Sequence, residues 1–391
     1  MTTGGGSELV RPPGGSTRAT LLELLFDVVF VAALALVSML IADRASWTGV
    51  APVVIMLMAV WWTWSITSTT TDFYDPDQRP IQTILMVTMF GAVVTAAGLA
   101  VDSHALVFAI GYVTPHLVRG VVLVAVLHPR QRMAEQRAAR FLFWFVVSGF
   151  FWIGGALLPD GWAWALWVVA VTIDYVSAGA RYPTPGLGRV PLAQYEKTTE
   201  HLGERYQQFV ILALGDVILV PTLEISRSDF TLARSAAFVT AFCTMLLLWQ
   251  IYVLGAGSIV RTTAPQVLRR ATRLAPYTHL VMLAGIVCTA AAFDLVLERP
   301  TGDTPRRWIA LIFGGPALFL VGRTLFTYKI IGTVPWRRVF WLAVMLAVMP
   351  WVGGWHPVLV AALIVLVLSG VVVTDTMSRR SSRPLLRGRP G

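Results

Sequence analysis

Charge is what this chain has least of. Acidic and basic residues make up 13% of its 391 residues, and 56% are hydrophobic. An ordinary soluble domain carries about a quarter charged residues, so a soluble globule is excluded. Lysine is nearly absent, with only Lys197 and Lys329. Neither sits midway along an apolar run, which removes a retinal-type Schiff base. The two cysteines, Cys243 and Cys288, lie inside apolar runs. They supply no disulfide framework and are expected to be small packing residues. No Walker loop, HExxH, CxxC or CxxCH is present, so ATP-driven, zinc-protease, thioredoxin-like and c-type haem chemistries lose their signatures. His116 and His279 are weak ground for a haem, and the His201-Leu-Gly-Glu204 spacing is too common to define a metal site. The serines follow no Ser-His-Asp order. No cofactor, no metal and no enzymatic activity are expected.

What the chain has is apolar runs of about twenty residues from end to end, each long enough to cross a hydrocarbon core of roughly 30 Å. At that length only α-helices keep the backbone satisfied in lipid. The fold class is therefore all-α, a polytopic integral membrane protein with about 12 transmembrane helices. Spans are expected at 21–42, 48–70, 80–101, 104–127, 140–158, 161–178, 202–221, 231–254, 273–297, 307–328, 337–353 and 355–375. Short connections make the fifth and sixth, and the eleventh and twelfth, helical hairpins. Of the 31 Lys and Arg, 22 fall in the tails and loops of one side and 6 on the other. The positive-inside rule then places both termini in the cytoplasm of a cell-membrane protein. The net charge of +10 sits in those loops, which points to anionic lipid headgroups rather than nucleic acid as partner. Residues 1–20 and the basic stretch 376–391 have little to pack and are expected to be disordered. Most of the fifteen tryptophans are expected in interfacial belts.

The halves resemble each other. Arg79, Gly91, Thr95 and Ala96-Ala97 recur as Arg273, Gly285, Thr289 and Ala290-Ala291, all at an offset of 194. Arg119 in the fourth span answers to Arg323 in the tenth, Trp62 to Trp249, and Glu23 to Glu204. Two parallel six-helix repeats are expected, 21–178 and 202–375, joined by a cytoplasmic linker 179–201. Six spans per repeat is an even number, so both would point the same way.

The ionisable groups inside the spans are the candidate functional residues, because a charge at mid-bilayer costs at least roughly 2.5–3.5 kcal/mol. Glu23 and Asp27 share one face of the first helix. By depth, Arg119 is expected to pair with that face, with His116 three residues away. His201, Glu204 and Arg205 form a patch at the start of the seventh span, and Arg323 is expected to meet Glu204. Asp216 lies twelve residues beyond Glu204, roughly 18 Å deeper, and His279 lies in the ninth span. Residues 201, 204, 205, 208, 212 and 216 fall along one helix stripe, which is expected to be a polar track. Against this stand plainer roles. Glu23, Glu204 and Arg205 would mark the interface, Arg119 and Arg323 would snorkel, Asp216 would make a structural hydrogen bond, and the histidines would pack.

The stretch Glu23-Leu-Leu-Phe26-Asp27-Val-Val-Phe30-Val31 and the stretch His201-x-x-Glu204-Arg205…Leu214-Gly215-Asp216 resemble two motifs of the bacterial low temperature requirement A family. His279 followed by Gly285-Ile-Val fits a third. The likeness covers the first ten spans. Tyr206 stands where the second motif carries Phe, and Asp216 where it carries Glu. The family takes its name from a requirement for growth in the cold, and the resemblance brings no substrate with it. Two functions fit such a chain. One is a secondary transporter of an unidentified small solute, proton-coupled through its intramembrane carboxylates. The other is a non-transporting membrane sensor or scaffold whose charges lock helices together. A membrane enzyme on a lipid or polyprenyl substrate is a third and weaker reading.

Overall fold

Helix dominates wherever the computed structural model describes the chain, which is over residues 9–11, 18–44, 47–99, 104–128, 131–158, 160–195, 200–227, 229–259 and 265–382. Two isolated bridges, Val10 with Tyr74 and Thr184 with Gly188, are the only β pairing among the described residues. The chain divides into two compact units, Met1–Val37 with Ala51–Phe209, and Ser38–Val50 with Val210–Gly391. Unit 1 holds α1 (Leu21–Asp43) as far as Val37, α2 (Trp47–Phe73) from Ala51, α3 (Arg79–Leu99), α4 (Ala105–Leu127), α5 (Arg132–Leu157), α6 (Asp160–Gly179), the short α7 (Leu192–Tyr195), and α8 (Glu200–Leu214) as far as Phe209. Unit 2 holds the remainders of those helices with α9 (Asp216–Ser226), α10 (Leu232–Ile259), α11 (Pro265–Glu298), α12 (Arg306–Ile331), α13 (Trp336–Val348) and α14 (Pro357–Ser382).

Among the described residues, eleven spans are long and apolar enough to cross a membrane. The protein is thus a multi-pass membrane protein, as composition demanded. The expected eleventh of twelve, at 337–353, is α13, which has 13 residues. That is about 20 Å of helix, too short alone for a hydrocarbon core. A 3-10 turn, Met349–Trp351, prolongs it. At one end Arg338 donates to Asp375 of α14 at 2.7 and 3.0 Å. At the other, the turn meets the α11–α12 connection, where Thr304 Oγ1 donates to Trp355 O at 2.6 Å.

The expected seventh span, 202–221, lies within one continuous apolar run, His201–Ser226, in which Gly215 keeps right-handed helical dihedrals between α8 and α9. Gly215 N donates to Leu212 O, an i−3 bond that tightens the turn between α8 and α9. Pro221 then removes one donor inside α9. Other boundaries shift as well. The fifth span begins at Arg132 rather than 140, because α5 adds two polar turns before its apolar run. The part of the linker around 183–187 packs on α5, with Trp144 donating to Pro183 O and Arg140 to Leu187 O. Expected disorder at 1–8, 12–17 and 383–391 lies outside the described residues. Residues 9–11, inside the stretch taken for a tail, cover the end of α2 instead. Arg11 donates to Thr71 O and Phe73 O, satisfying carbonyls that a helix C-terminus leaves open.

Close packing repeats between the units. In unit 1, α3 and α4 cross at Gly91 and Gly111. A Cβ on Gly91 would meet Gly111 O at 2.8 Å, and one on Gly111 would meet Thr95 N at 2.6 Å. In unit 2, α11 and α12 cross at Gly285 and Gly315, where the corresponding distances are 2.7 Å to Gly315 O and 2.6 Å to Thr289 N. Only glycine allows helix backbones this close. Other matched positions do not share surroundings. Trp62 is buried against Tyr175, while Trp249 is 41% exposed.

Six of the fifteen tryptophans sit inside the protein rather than at an interface. Trp61, Trp62, Trp64, Trp152, Trp167 and Trp308 are all buried in protein. In unit 1, Trp61 and Trp64 of α2 stack with ring centroids 5.0 Å apart, and Trp64 stacks on Phe209 of α8 at 4.2 Å. Their indoles bind α2 to α8. Cys243 and Cys288 are half-buried free thiols.

Candidate functional site

The site begins at the cap of α1. Glu23 N donates to Thr20 Oγ1 at 3.3 Å, and the Glu23 carboxylate accepts from Thr20 N at 2.9 Å and from its hydroxyl at 3.1 Å. This reciprocal cap fixes Glu23 at the helix entrance. One turn on, Asp27 Oδ1 accepts from Arg205 Nη2 at 2.7 Å and from Trp64 Nε1 at 2.8 Å. His201 Nε2 lies 3.4 Å from Glu23 Oε2, and its Nδ1 lies 3.6 Å from Asp72 Oδ1 at the end of α2. Glu23, Asp27 and Arg205 are 0% exposed, His201 1% and Asp72 2%.

Three carboxylates thus surround one guanidinium and one imidazole, all of them buried. Capacity is left over. Glu23 Oε1, Asp27 Oδ2, and Arg205 Nε and Nη1 have no hydrogen-bond partner among the described residues. Buried polar atoms in folded proteins are nearly always satisfied, so four together mark a place able to accept a proton or a polar guest. Glu23 to His201 and Asp27 to Arg205 are each separated by 178 residues. A constant separation means that α1 and α8 run parallel and in register.

The same separation recurs in unit 2. Ser38 Oγ, near the end of α1, donates in a short hydrogen bond to Asp216 Oδ2, 178 residues on. Asp216 opens α9 immediately after Gly215, is 1% exposed, and its Oδ1 has no partner among the described residues. Asp294 of α11 is within electrostatic reach of Asp216, and Asp43, Glu224 and Glu298 are within reach of Asp294. Carboxylates gather at that end of the unit, and Asp216 is the most buried of them.

The other candidates form separate groups. In unit 1, Arg119 Nη2 donates to His116 Nδ1 at 2.6 Å and Nη1 to Thr67 at 3.2 Å, with the Phe145 ring 5.1 Å from the guanidinium. An arginine is always a donor, so His116 Nδ1 accepts and its Nε2 carries the hydrogen toward Thr63 Oγ1, 3.2 Å away. In unit 2, Arg323 donates to Tyr252 O at 3.1 Å, with the Tyr252 and Phe326 rings each 5.5 Å from it. His279 Nδ1 donates to Ala275 O at 2.9 Å, which fixes the opposite tautomer.

The expected Asp27–Arg119 pair does not form, because Arg205 occupies Asp27 and α2 stands between. Trp64 of α2 faces Asp27 while Thr63 and Thr67 face the His116–Arg119 pair. The expected Arg323–Glu204 pair joins residues of different units. Within their own units Arg323 takes a carbonyl, and Glu204, half-buried, accepts from Gln208 at 3.2 Å.

Several participants were missed. Asp72 was assigned to a loop but ends α2 inside the protein. Ser38, Thr63, Thr67 and Trp64 carry no charge and did not register in a search for charge. Asp174 of α6 is buried and accepts from Tyr112 at 2.7 Å and Trp152 at 3.1 Å. The run of hydroxyls Thr63, Thr67, Thr71, one turn apart, was the available signal.

The fold and these buried clusters define a polytopic helical membrane protein whose ionisable groups are held inside the protein, away from lipid. The chain belongs to the family described as Bacterial low temperature requirement A protein (LtrA), which it matches over residues 18–373. It is also 30% identical over 339 residues to the uncharacterized protein RA0937 of Rhizobium meliloti (strain 1021), an alignment that covers 85% of this chain and 82% of that one. No solved structure matches it.

Proposed function

We propose that the protein is a secondary transporter of the cell membrane that moves protons with a small solute. The observation that carries this reading is the set of buried, unsatisfied polar atoms on α1 and α8. Four stand on Glu23, Asp27 and Arg205 in unit 1. In unit 2, Asp216 Oδ1 adds another at the start of α9. Buried ionisable groups inside membrane spans mark ion and proton pathways in transporters. The acidic groups near Asp294 would concentrate cations at that end. Two parallel repeats are part of the proposal, supported by the matched glycine crossings and by the parallel run of α1 and α8.

Both termini are proposed to be cytoplasmic. The 22-to-6 bias of basic residues supports this, and so does α13, whose ends lie beside the ends of α14. Counting α13 with its 3-10 turn as a crossing keeps the number even. Anionic headgroups are the proposed partners of the basic loops.

The test is proton flux. Purified protein is reconstituted in liposomes containing a pH-sensitive dye, and a pH gradient is imposed with and without mixtures of small metabolites. Wild type should collapse the gradient faster than empty liposomes, and Asp27→Asn and Asp216→Asn should not. If folded Asp27→Asn and Asp216→Asn proteins match wild type, the proposal fails. The helix-lock reading, favoured by the closed Asp27–Arg205–Trp64 bonds, would then stand.

A further inference from the structure

A second polar interior in unit 1 has the opposite charge. A cavity of about 20 Å³ opens where α2 and α4 end and α5 begins. Arg119, Arg137 and His116 line it, and no carboxylate does. Arg119 is 2% exposed and Arg137 8%. Arg137 lies on the Phe73 ring, 3.8 Å from its centre, and donates to Tyr74 Oη at 3.0 Å. Tyr74 accepts there, which leaves its own O–H as a donor. Arg119 spends its bonds on neutral Thr67 and on an imidazole already shown to be neutral.

Among the described residues, no carboxylate lies within ion-pair distance of either guanidinium. Asp174 attracts Arg119 through space, but its Oδ2 already accepts from Tyr112 and Trp152. Arg140 adds a third guanidinium nearby, bound to Leu187 O. The two guanidiniums that line the cavity are therefore held by neutral partners among the described residues. A buried charge in a membrane protein is ordinarily paired or faces water.

We propose that this cavity binds one small monovalent anion of the halide class between Arg119 and Arg137. Size favours that class, since about 20 Å³ admits roughly one water-sized occupant and so suits a single-atom ion better than a phosphate group. The walls select in the same direction. Phe73, Phe141 and Phe145 offer aromatic surface, which suits a weakly hydrated ion better than a strongly hydrated one. The site stands whether or not the carboxylate clusters carry protons.

The experiment uses full-length protein in detergent at constant ionic strength, with sodium gluconate replaced stepwise by sodium chloride, sodium bromide or sodium phosphate. The readouts are the melting temperature and the line width of the chloride magnetic resonance signal. Chloride and bromide should raise the melting temperature saturably and broaden the chloride line, and phosphate should not. Arg137→Gln should weaken the apparent chloride affinity at least tenfold. Ala138→Leu fills the cavity and leaves both arginines, and it should do the same. Equal melting in gluconate and chloride overturns the site, and so does an equal response to phosphate. A wild-type chloride response in Ala138→Leu also overturns it, and that variant decides the matter if Arg137→Gln does not fold.

Discussion

Arg205 is the cation that Asp27 depends on, and the two can be separated experimentally from Arg119. Both members of the pair are fully buried and bonded at 2.7 Å. Removing one partner leaves an uncompensated charge, so Arg205→Met should destabilise by about 3–5 kcal/mol. The double variant Asp27→Asn with Arg205→Met should recover part of that loss, as measured by melting in detergent. The same cycle run on Asp27 and Arg119 should be additive to within about 0.5 kcal/mol, as for sites that share no partner. Strong coupling there would restore the pairing expected from depth. Thr20→Ala removes the hydroxyl that caps α1 and fixes Glu23. It should cost about 1 kcal/mol, and a smaller loss would mean that His201 alone holds that carboxylate.

Helices meet through their smallest residues in this protein. Gly111→Leu and Gly315→Leu would each drive a side chain into backbone at 2.6 Å. Both should lose at least about 1–3 kcal/mol, with losses similar in size, and thermal melting of the two variants checks this. A large loss in one and none in the other would count against equivalent crossings. These glycines were legible in the sequence because sterics act at a fixed position, so Gly91, Thr95, Gly285 and Thr289 stood out by spacing alone. The pairings were not. Position along a helix gives depth, but it does not say which neighbour the helix turns toward, and α2 intervened unseen between Asp27 and Arg119. The tightened turn at Gly215 was hidden too, since glycine is an ordinary residue in a membrane helix and only the i−3 bond reveals it. The six buried tryptophans were not legible for a related reason. Composition reports how many are amphipathic, and packing decides whether a wall of protein or the lipid interface receives them.

At the scale of the molecule, membrane character was legible from charge scarcity alone, and eleven of the twelve expected spans are present as long apolar helices. The exception, α13, shows why length alone misleads, because a 3-10 turn carries the chain onward after the regular helix ends. A periplasm-active reporter fused after Ser382 should be silent, and one placed in the α9–α10 connection, near Asp229, should be active. Activity at Ser382 would mean that α13 does not cross and that the termini lie on opposite sides.

The common separation of 178 residues has a mechanical consequence. Glu23 and Asp27 on α1, and His201 and Arg205 on α8, are toothed at the same pitch of four residues, one turn of helix. Two racks of equal pitch mesh at discrete positions and jam between them. Sliding α8 by one tooth would hand Arg205 from Asp27 to Glu23 and bring Phe209 opposite Asp27. A charged Asp27 resists that step, since it would lose its cation to a phenyl ring. Protonating Asp27 would remove that one resistance and leave the Glu23–His201 contact to hold the register.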